Sequence, residues 1–297
     1  MSANLLHILN SIWSHPFNEG KRINAFIRFF KWQFFSRFIK WDVIYPVTSN
    51  TRMLARRGMT GITGCIYSGL LEFEEMFFVL HSLNTDDVFV DIGANVGIFT
   101  ILAAGEKGAN VISIEPIKNT YDILQENVKL NKLESKIQTL NIGISDSKGI
   151  LNFVSEHGTI NHVVSDLEKK DSKTESVFVD SLDNICEKKI PLILKIDVEG
   201  FETNVINGAK KIIENNILKA IIIELNGLGK RYGFDEMKIH DYLINQGFNC
   251  YNYDPYKRKF NESNFDGIHN TIYIRDLNFF KNRVKNSPQI SLIGQLI

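Results

Sequence analysis

The segment VFVDIGANVGIFT carries Asp91, Gly93 and Gly97 in a D-x-G-x-x-x-G arrangement that leads from an apolar strand into the start of a helix. Glycines there let the chain turn tightly and leave room for a ligand. The spacing is not the G-x-G-x-x-G of dinucleotide binders, and Asp91 at the strand end would repel a diphosphate. A cationic or zwitterionic ligand suits the turn better. Glu115 ends the following strand, 24 residues on, where a carboxylate accepts both hydroxyls of a ribose. The two carboxylates would then hold opposite ends of one ligand that has an ammonium group and a ribose but no phosphate, and S-adenosylmethionine has that constitution. The plainer alternative is that the glycines serve strand–helix packing and Glu115 is an ordinary strand-end charge.

A second group of residues has the chemistry for proton handling. LILKIDVEGFE places Asp197 at the end of a later strand, with Glu199 and Glu202 in the next turn. Ligands of open α/β sheets lie beyond the carboxyl ends of the strands, so Asp197 is expected beside the reacting atoms, orienting a hydroxyl or taking its proton. Capping of the next helix by Asp197 and Glu199 is the structural alternative. His162, in INHVVSD, is the candidate general base, because a neutral imidazole is matched to pH 7. Lys195 lies between apolar residues and must reach a strand end or pair with a carboxylate such as Glu224. Asp197, Glu199, Glu202 and Glu224 are an oxygen-rich set of the type that holds Mg²⁺, but their spacing is not diagnostic and no metal is expected.

These residues need a scaffold that brings strand ends together. From Asp87 onward, β-branched runs alternate with helical stretches, the signature of parallel βαβ units. The pattern predicts strands over 88–92, 111–115, 137–142, 192–197 and 219–225, and helices from near Val96, over 118–131, 202–214 and 235–246. Residues 247–254 and 270–275 read as an antiparallel hairpin finishing the sheet. Residues 150–154 and 176–180 form an excursion around the polar stretch 155–175. The resulting division is an N-terminal basic, aromatic helical extension over 1–60, a domain over 61–276 and a tail over 277–297.

Composition sets the outer bounds. With 297 residues, 44% hydrophobic and 23% charged, the chain is long enough for a sizeable core and is of ordinary globular composition. Residues 1–60 hold nine Lys and Arg against Glu19 and Asp42, an excess of seven, and the body carries the matching acidic excess. No nucleic-acid partner is therefore expected for the body. Three scattered cysteines without metal-ligand spacing, no spanning-length apolar run and no secretion leader fit a cytoplasmic protein. Within residues 21–41, Ile23, Phe26, Ile27, Phe30, Phe34, Phe38 and Trp41 recur at helical spacing among basic residues. Such a stripe is expected to pack on the domain, with peripheral contact to an anionic membrane surface as the alternative.

DIGANVGIFT, ISIEP, NVKLN, NIGISDSKG and above all LKIDVEGFETNVINGA, in this order over about residues 60–275, resemble the FkbM-type family of S-adenosylmethionine-dependent methyltransferases. YSGLLEF, INHVVSD and ELNGLGKRYGFDE look like one branch of it. The resemblance implies a class I methyltransferase fold, a Rossmann-like, doubly wound, mostly parallel sheet. It also implies methyl transfer, commonly to a hydroxyl of a sugar, glycan, glycolipid or natural product. By the same resemblance Asp91, Gly93, Asn95 and Gly97 line the methionine end of the cofactor, Glu115 the ribose, and Asn141, Ile142 and Gly143 the adenine edge. The competing function is a catalytically idle protein of the same fold that binds a membrane or partner through residues 21–41. Intact Asp91, Glu115 and Asp197 favour the enzyme.

Overall fold

Near-continuous apolar runs are what strands buried on both faces require, and four of them, with a more polar edge strand, become the parallel part of the sheet. These strands are β1 (Val88–Ile92), β2 (Asn110–Ile114), β3 (Ile137–Leu140), β4 (Ile193–Ile196) and β5 (Ala220–Glu224). Three more strands, β6 (Asn249–Asp254), β7 (Lys259–Glu262) and β8 (Asn270–Ile274), complete eight in the order β7-β6-β8-β5-β4-β1-β2-β3. The computed structural model describes residues 3–154, 162–165, 174–267 and 270–297.

β1 pairs in parallel with both β2 and β4, and β5 pairs in parallel with β4. The chain moves outward from β1 through β2 to β3, then returns to the other side of β1 to begin β4. This reversal makes the β1–β4 boundary the switch point of a doubly wound sheet, where the crossover helices diverge and leave a crevice. The order, with β8 antiparallel between β5 and β6, is that of the class I methyltransferase fold. The expected hairpin is present, although β8 inserts between β5 and β6 and β7 adds an outer strand.

Two apolar layers cover the sheet. One contains Phe89, Val111 and Ile193 with α3 (Thr60–Ser68), α4 (Phe73–Ser82), α5 (Ile98–Lys107) and α6 (Lys118–Leu130). The other packs Val90, Leu194 and Ile221 against residues of Glu202–Asn207, Lys210–Glu214 and Glu236–Asn245. The helix predicted over 202–214 is thus two short ones. At the break, a Cβ on Gly208 would lie 2.0 Å from the Ser145 carbonyl oxygen, so the backbones meet there. Gly143–Ile144, Gly149–Val154 and Thr174–Asp180 form a separate three-stranded sheet from the predicted excursion.

The chain ends join the first layer: Ile12, Phe17, Phe29, Phe280 and Ile297 belong to the same core as Phe89. The tail contains a helix, Leu277–Asn286, whose first turn is capped by the Asp276 carboxylate accepting from the Phe279 amide at 3.0 Å. In the N-terminal part, α1 (Ala3–Ser14) precedes α2 (Arg22–Phe35), which ends well before Pro46, and Val43–Pro46 instead pairs with Arg52–Ala55. The expectation that the apolar stripe of 21–41 meets the core holds only for Phe26, which is partly buried against it, and fails for the rest. Ala25 and Phe29 are buried, whereas Ile23, Ile27, Phe30, Phe34, Phe38 and Trp41 are exposed. Cys65, Cys186 and Cys250 are all buried thiols, and burial raises each, Cys65 and Cys186 to about 12. No helix among the described residues is long and apolar enough to cross a membrane.

Candidate functional site

A cleft of about 260 Å³ opens at the carboxyl ends of β1, β2, β4 and β5. Among the described residues its wall contains six carboxylates, those of Glu72, Asp91, Glu115, Asp197, Glu199 and Glu224, against one ammonium, Lys195. The sheet explains the convergence, because Asp91, Glu115, Asp197 and Glu224 each stand at or next to the end of a neighbouring strand.

The turn after β1 is fixed by backbone bonds. The Gly93 and Ala94 amides both donate to the Ile114 carbonyl at 3.0 Å, and the Asp197 amide donates to Ile92 at 3.1 Å. A Cβ on Gly93 would lie only 1.7 Å from the Asp197 carbonyl oxygen, and Gly93 has φ +74°. Gly93 thus lets the end of β1 press against the end of β4. At Gly97, with φ +91°, a Cβ would lie 2.4 Å from Leu124 and so would meet α6. At both glycines protein atoms fill the space a Cβ would take, as the packing alternative holds; Gly93 also stands in the cleft wall, and Gly97 does not.

Asp91 is fully buried. Its Oδ2 accepts from the Thr100 hydroxyl at 2.6 Å, while its Oδ1 has no partner. A buried carboxylate oxygen without a donor is costly, so this atom is an unfilled acceptor on a residue of the cleft wall. Glu115 is held by two backbone donors, Asn95 N to Oε2 at 2.9 Å and Ile117 N to Oε1 at 3.0 Å. Each oxygen keeps a second acceptor direction. Burial pushes its carboxyl up to about 7 despite those donors.

Lys195 resolves its burial by reaching Asp197, Nζ to Oδ2 at 2.8 Å, with Phe99 below it at 4.9 Å from the ring centroid. It thus pairs with a carboxylate as expected, with Asp197 in place of the Glu224 given as an example. Burial opposes its charge, but Asp197, Glu72 and Asp91 outweigh that and hold the ammonium above the usual lysine range. Carboxylate oxygens of Asp197, Glu199 and Glu224 lie within 4.8 Å of one another. Burial, then the charges of Asp197 and Glu199, raise Glu224. Burial and Asp197 push Glu199 up to about 7. Glu202 turns away from this trio: its Oε1 accepts from Val198 N at 3.3 Å and Gly200 N at 3.1 Å, fastening the loop to the helix it begins. Two non-glycine residues of the wall, Asn95 at φ +52° and Glu199 at φ +55°, occupy the left-handed region, a strain that concentrates where a ligand is held.

Of the predicted site residues, Asp91, Gly93, Asn95, Glu115 and Asp197 meet in this cleft, and Gly97, Asn141, Ile142, Gly143 and His162 do not line it. Asn141 stands one layer back, its Nδ2 donating to the carbonyls of Glu115 at 2.9 Å and Pro116 at 2.8 Å. Ile142 packs on the second core layer, and a Cβ on Gly143 would press Phe153 and Val179. His162 is buried beside the excursion sheet, its carbonyl accepting from Val154 N at 2.9 Å, and Phe153, bridged to Val163, stands in the cleft wall in its place. The sequence reading missed Glu72, whose Oε2 accepts from Asn270 Nδ2 at 2.7 Å. Its signal was a charge between Leu71 and Phe73, set apart by Phe73 from the pair Glu74 and Glu75.

The Methyltransferase FkbM domain matches residues 91–250. A hexuronic acid methyltransferase of Haloferax volcanii, AglP, is 30% identical over 152 residues, half of this chain and 59% of the relative. The methyltransferase sdnD of Sordaria araneosa is 31% identical over 80 residues, 27% of this chain and 31% of the relative. The chain thus spans less than two thirds of either relative's length. Among solved structures, an FkbM methyltransferase of Methylobacillus flagellatus aligns over 72% of this chain and 52% of its own with a TM-score of 0.45 and 16% identity. The domain match covers the strand ends, the glycine turn and every cleft carboxylate except Glu72, and the chain belongs to the FkbM methyltransferases, a family whose cofactor is S-adenosylmethionine.

Proposed function

We propose that the protein transfers a methyl group to a hydroxyl oxygen of a neutral sugar or related polyol. The observation that carries this reading is the composition of the cleft wall, six carboxylates against one ammonium. Such a wall favours a cationic cofactor and hydroxyl donors, and it opposes phosphates and anionic acceptors. The fit to the cofactor rests on the orphaned Asp91 Oδ1, which would accept from its ammonium, and on the spare acceptor directions of Glu115, which would receive the ribose hydroxyls. When bound, S-adenosylmethionine supplies a methyl group already activated by its sulfonium.

The remaining task is alignment of the acceptor and removal of its proton. Asp197, held by Lys195, is in position to orient an acceptor hydroxyl. Glu199 and Glu224, both raised above ordinary carboxylates and within 4.8 Å of Asp197, would take the proton in their ionised forms, since a raised pKa makes a carboxylate a stronger base. His162 is the competing base. The sugar acceptor is supported by the hexuronic acid methyltransferase relative, with the difference that a neutral hydroxyl suits these carboxylates better than a uronate does. The test is transfer of labelled methyl from S-adenosylmethionine to neutral glycans, uronic acids and RNA. Alkali-stable label in neutral glycans is expected. Label in RNA, or label in uronic acids released by alkali as an ester, would overturn the reading.

A further inference from the structure

The outer half of α2 is apolar and faces away from the protein. Ile23, Ile27, Phe30 and Phe34 fall within an arc of about 60° at 3.6 residues per turn. The turn that follows continues the patch through Phe38 and Trp41. Ile23 is 76% exposed, Phe30 60%, Phe38 69% and Trp41 71%. Contiguous exposed aromatic surface of this kind marks an interaction site. The inner half is firmly seated, with Ala25 and Phe29 buried and Arg28 donating to the carbonyls of Ile66 at 3.0 Å and Tyr67 at 2.7 Å.

Charge selects the partner. Residues 20–41 contain six basic residues and no acidic one. Lys21, Lys31, Arg37 and Lys40 are exposed beside the patch, and none forms an ion pair among the described residues. A second copy docking through the same face would set these bases against themselves, because a two-fold contact is self-complementary. Aromatic and aliphatic side chains that sink to the acyl boundary, edged by lysine and arginine at headgroup level, are the composition of a helix lying in an anionic membrane interface. We propose that the outer face of α2 docks the protein on an anionic lipid bilayer. Arg28 ties α2 to α3, whose first residues Thr60 and Gly61 line the cleft, so docking fixes the cleft relative to the bilayer surface. This inference does not depend on the identity of the acceptor.

The test is flotation of the full chain with vesicles of phosphatidylcholine alone and of phosphatidylcholine mixed with phosphatidylglycerol. Recovery with the mixed vesicles, little with the neutral ones, and release as salt rises are expected. The double variants Phe34→Ser/Phe38→Ser and Lys31→Glu/Arg37→Glu should each lower partitioning by about tenfold or more while melting as the parent does, since the altered side chains are exposed. Equal binding to neutral vesicles, or flotation unchanged in both variants, would overturn the proposal. So would absence of flotation together with a dimer in sedimentation that Phe34→Ser/Phe38→Ser dissociates, which would assign the face to a second copy.

Discussion

In the cleft, carboxylates are drawn out of water into a largely apolar wall, whereas on α2 the aromatic rings of Phe30, Phe34, Phe38 and Trp41 are pushed into it. Both regions run against the usual sorting of side chains, in opposite senses, and in each the departure is what marks a ligand surface. The cleft is costly until something positive enters, and the α2 face is costly until something apolar covers it. The difference lies in how each is held. Cleft carboxylates are anchored by backbone amides and by Lys195, so their positions are set before a ligand arrives. The α2 patch is presented as a surface and needs only Ala25, Phe29 and Arg28 beneath it.

The contrast is most exposed to challenge at the reacting end. Replacing Glu224 by Gln should lower turnover by about 10² to 10⁴-fold if the acidic trio takes the proton, with cofactor affinity little changed. His162→Ala should leave turnover near the parent value in the same assay. The reverse pair of results would move the base to His162 and leave the trio a binding role. Next in size is the seat of α2: Phe29→Ala should cost about 3 to 5 kcal/mol of stability in denaturant titration, because Phe29 is buried in the main core. At the other end of the cleft, Glu115→Ala should weaken S-adenosylmethionine binding by about 1.5 to 3 kcal/mol in calorimetry. Unchanged affinity in a folded variant would remove Glu115 from the cofactor site.

The pH dependence sharpens the account of the cleft further. Glu115 and Glu199 sit at about 7 in the folded protein against an ordinary 4.5, so across that range the folded state binds protons that the unfolded chain has released. Their contribution to stability is fully present below pH 4.5 and is lost as pH rises through about 7. A cationic ligand favours the ionised forms, so its binding releases protons and its affinity should rise between pH 6 and 8. Paired thermal melts of the apo protein and cofactor titrations at both ends of that window check the two slopes, which have opposite sign. The smallest effect belongs to the outer patch, where Phe34→Ser should alter stability by only about 0.5 kcal/mol or less.

The sheet was legible because its strands are short, apolar and separated by helical spacing, and because Asp91, Glu115 and Asp197 end strands that the doubly wound order makes neighbours. The direction of α2 was not legible. Periodicity groups Ile23, Phe30 and Phe34 on one face but does not say which face meets the core, and Phe29 and Trp32 make the opposite face aromatic too. Gly97 and Asn141–Gly143 carried a family pattern, yet the contacts that place them behind the cleft, with Leu124, Pro116 and Phe153, come from distant parts of the chain. Glu72 reaches the wall only because α4 packs on the sheet.

The three buried cysteines have a practical consequence. Cys65, Cys186 and Cys250 are the only thiols in the chain, and burial keeps each of them in the unreactive protonated form. A cysteine introduced on the outer face of α2 would therefore be the one thiol open to a maleimide. An environment-sensitive fluorophore or spin label could be placed there without first removing native cysteines, and its emission or accessibility to a lipid-soluble quencher would report how deep that face sits when the protein meets vesicles.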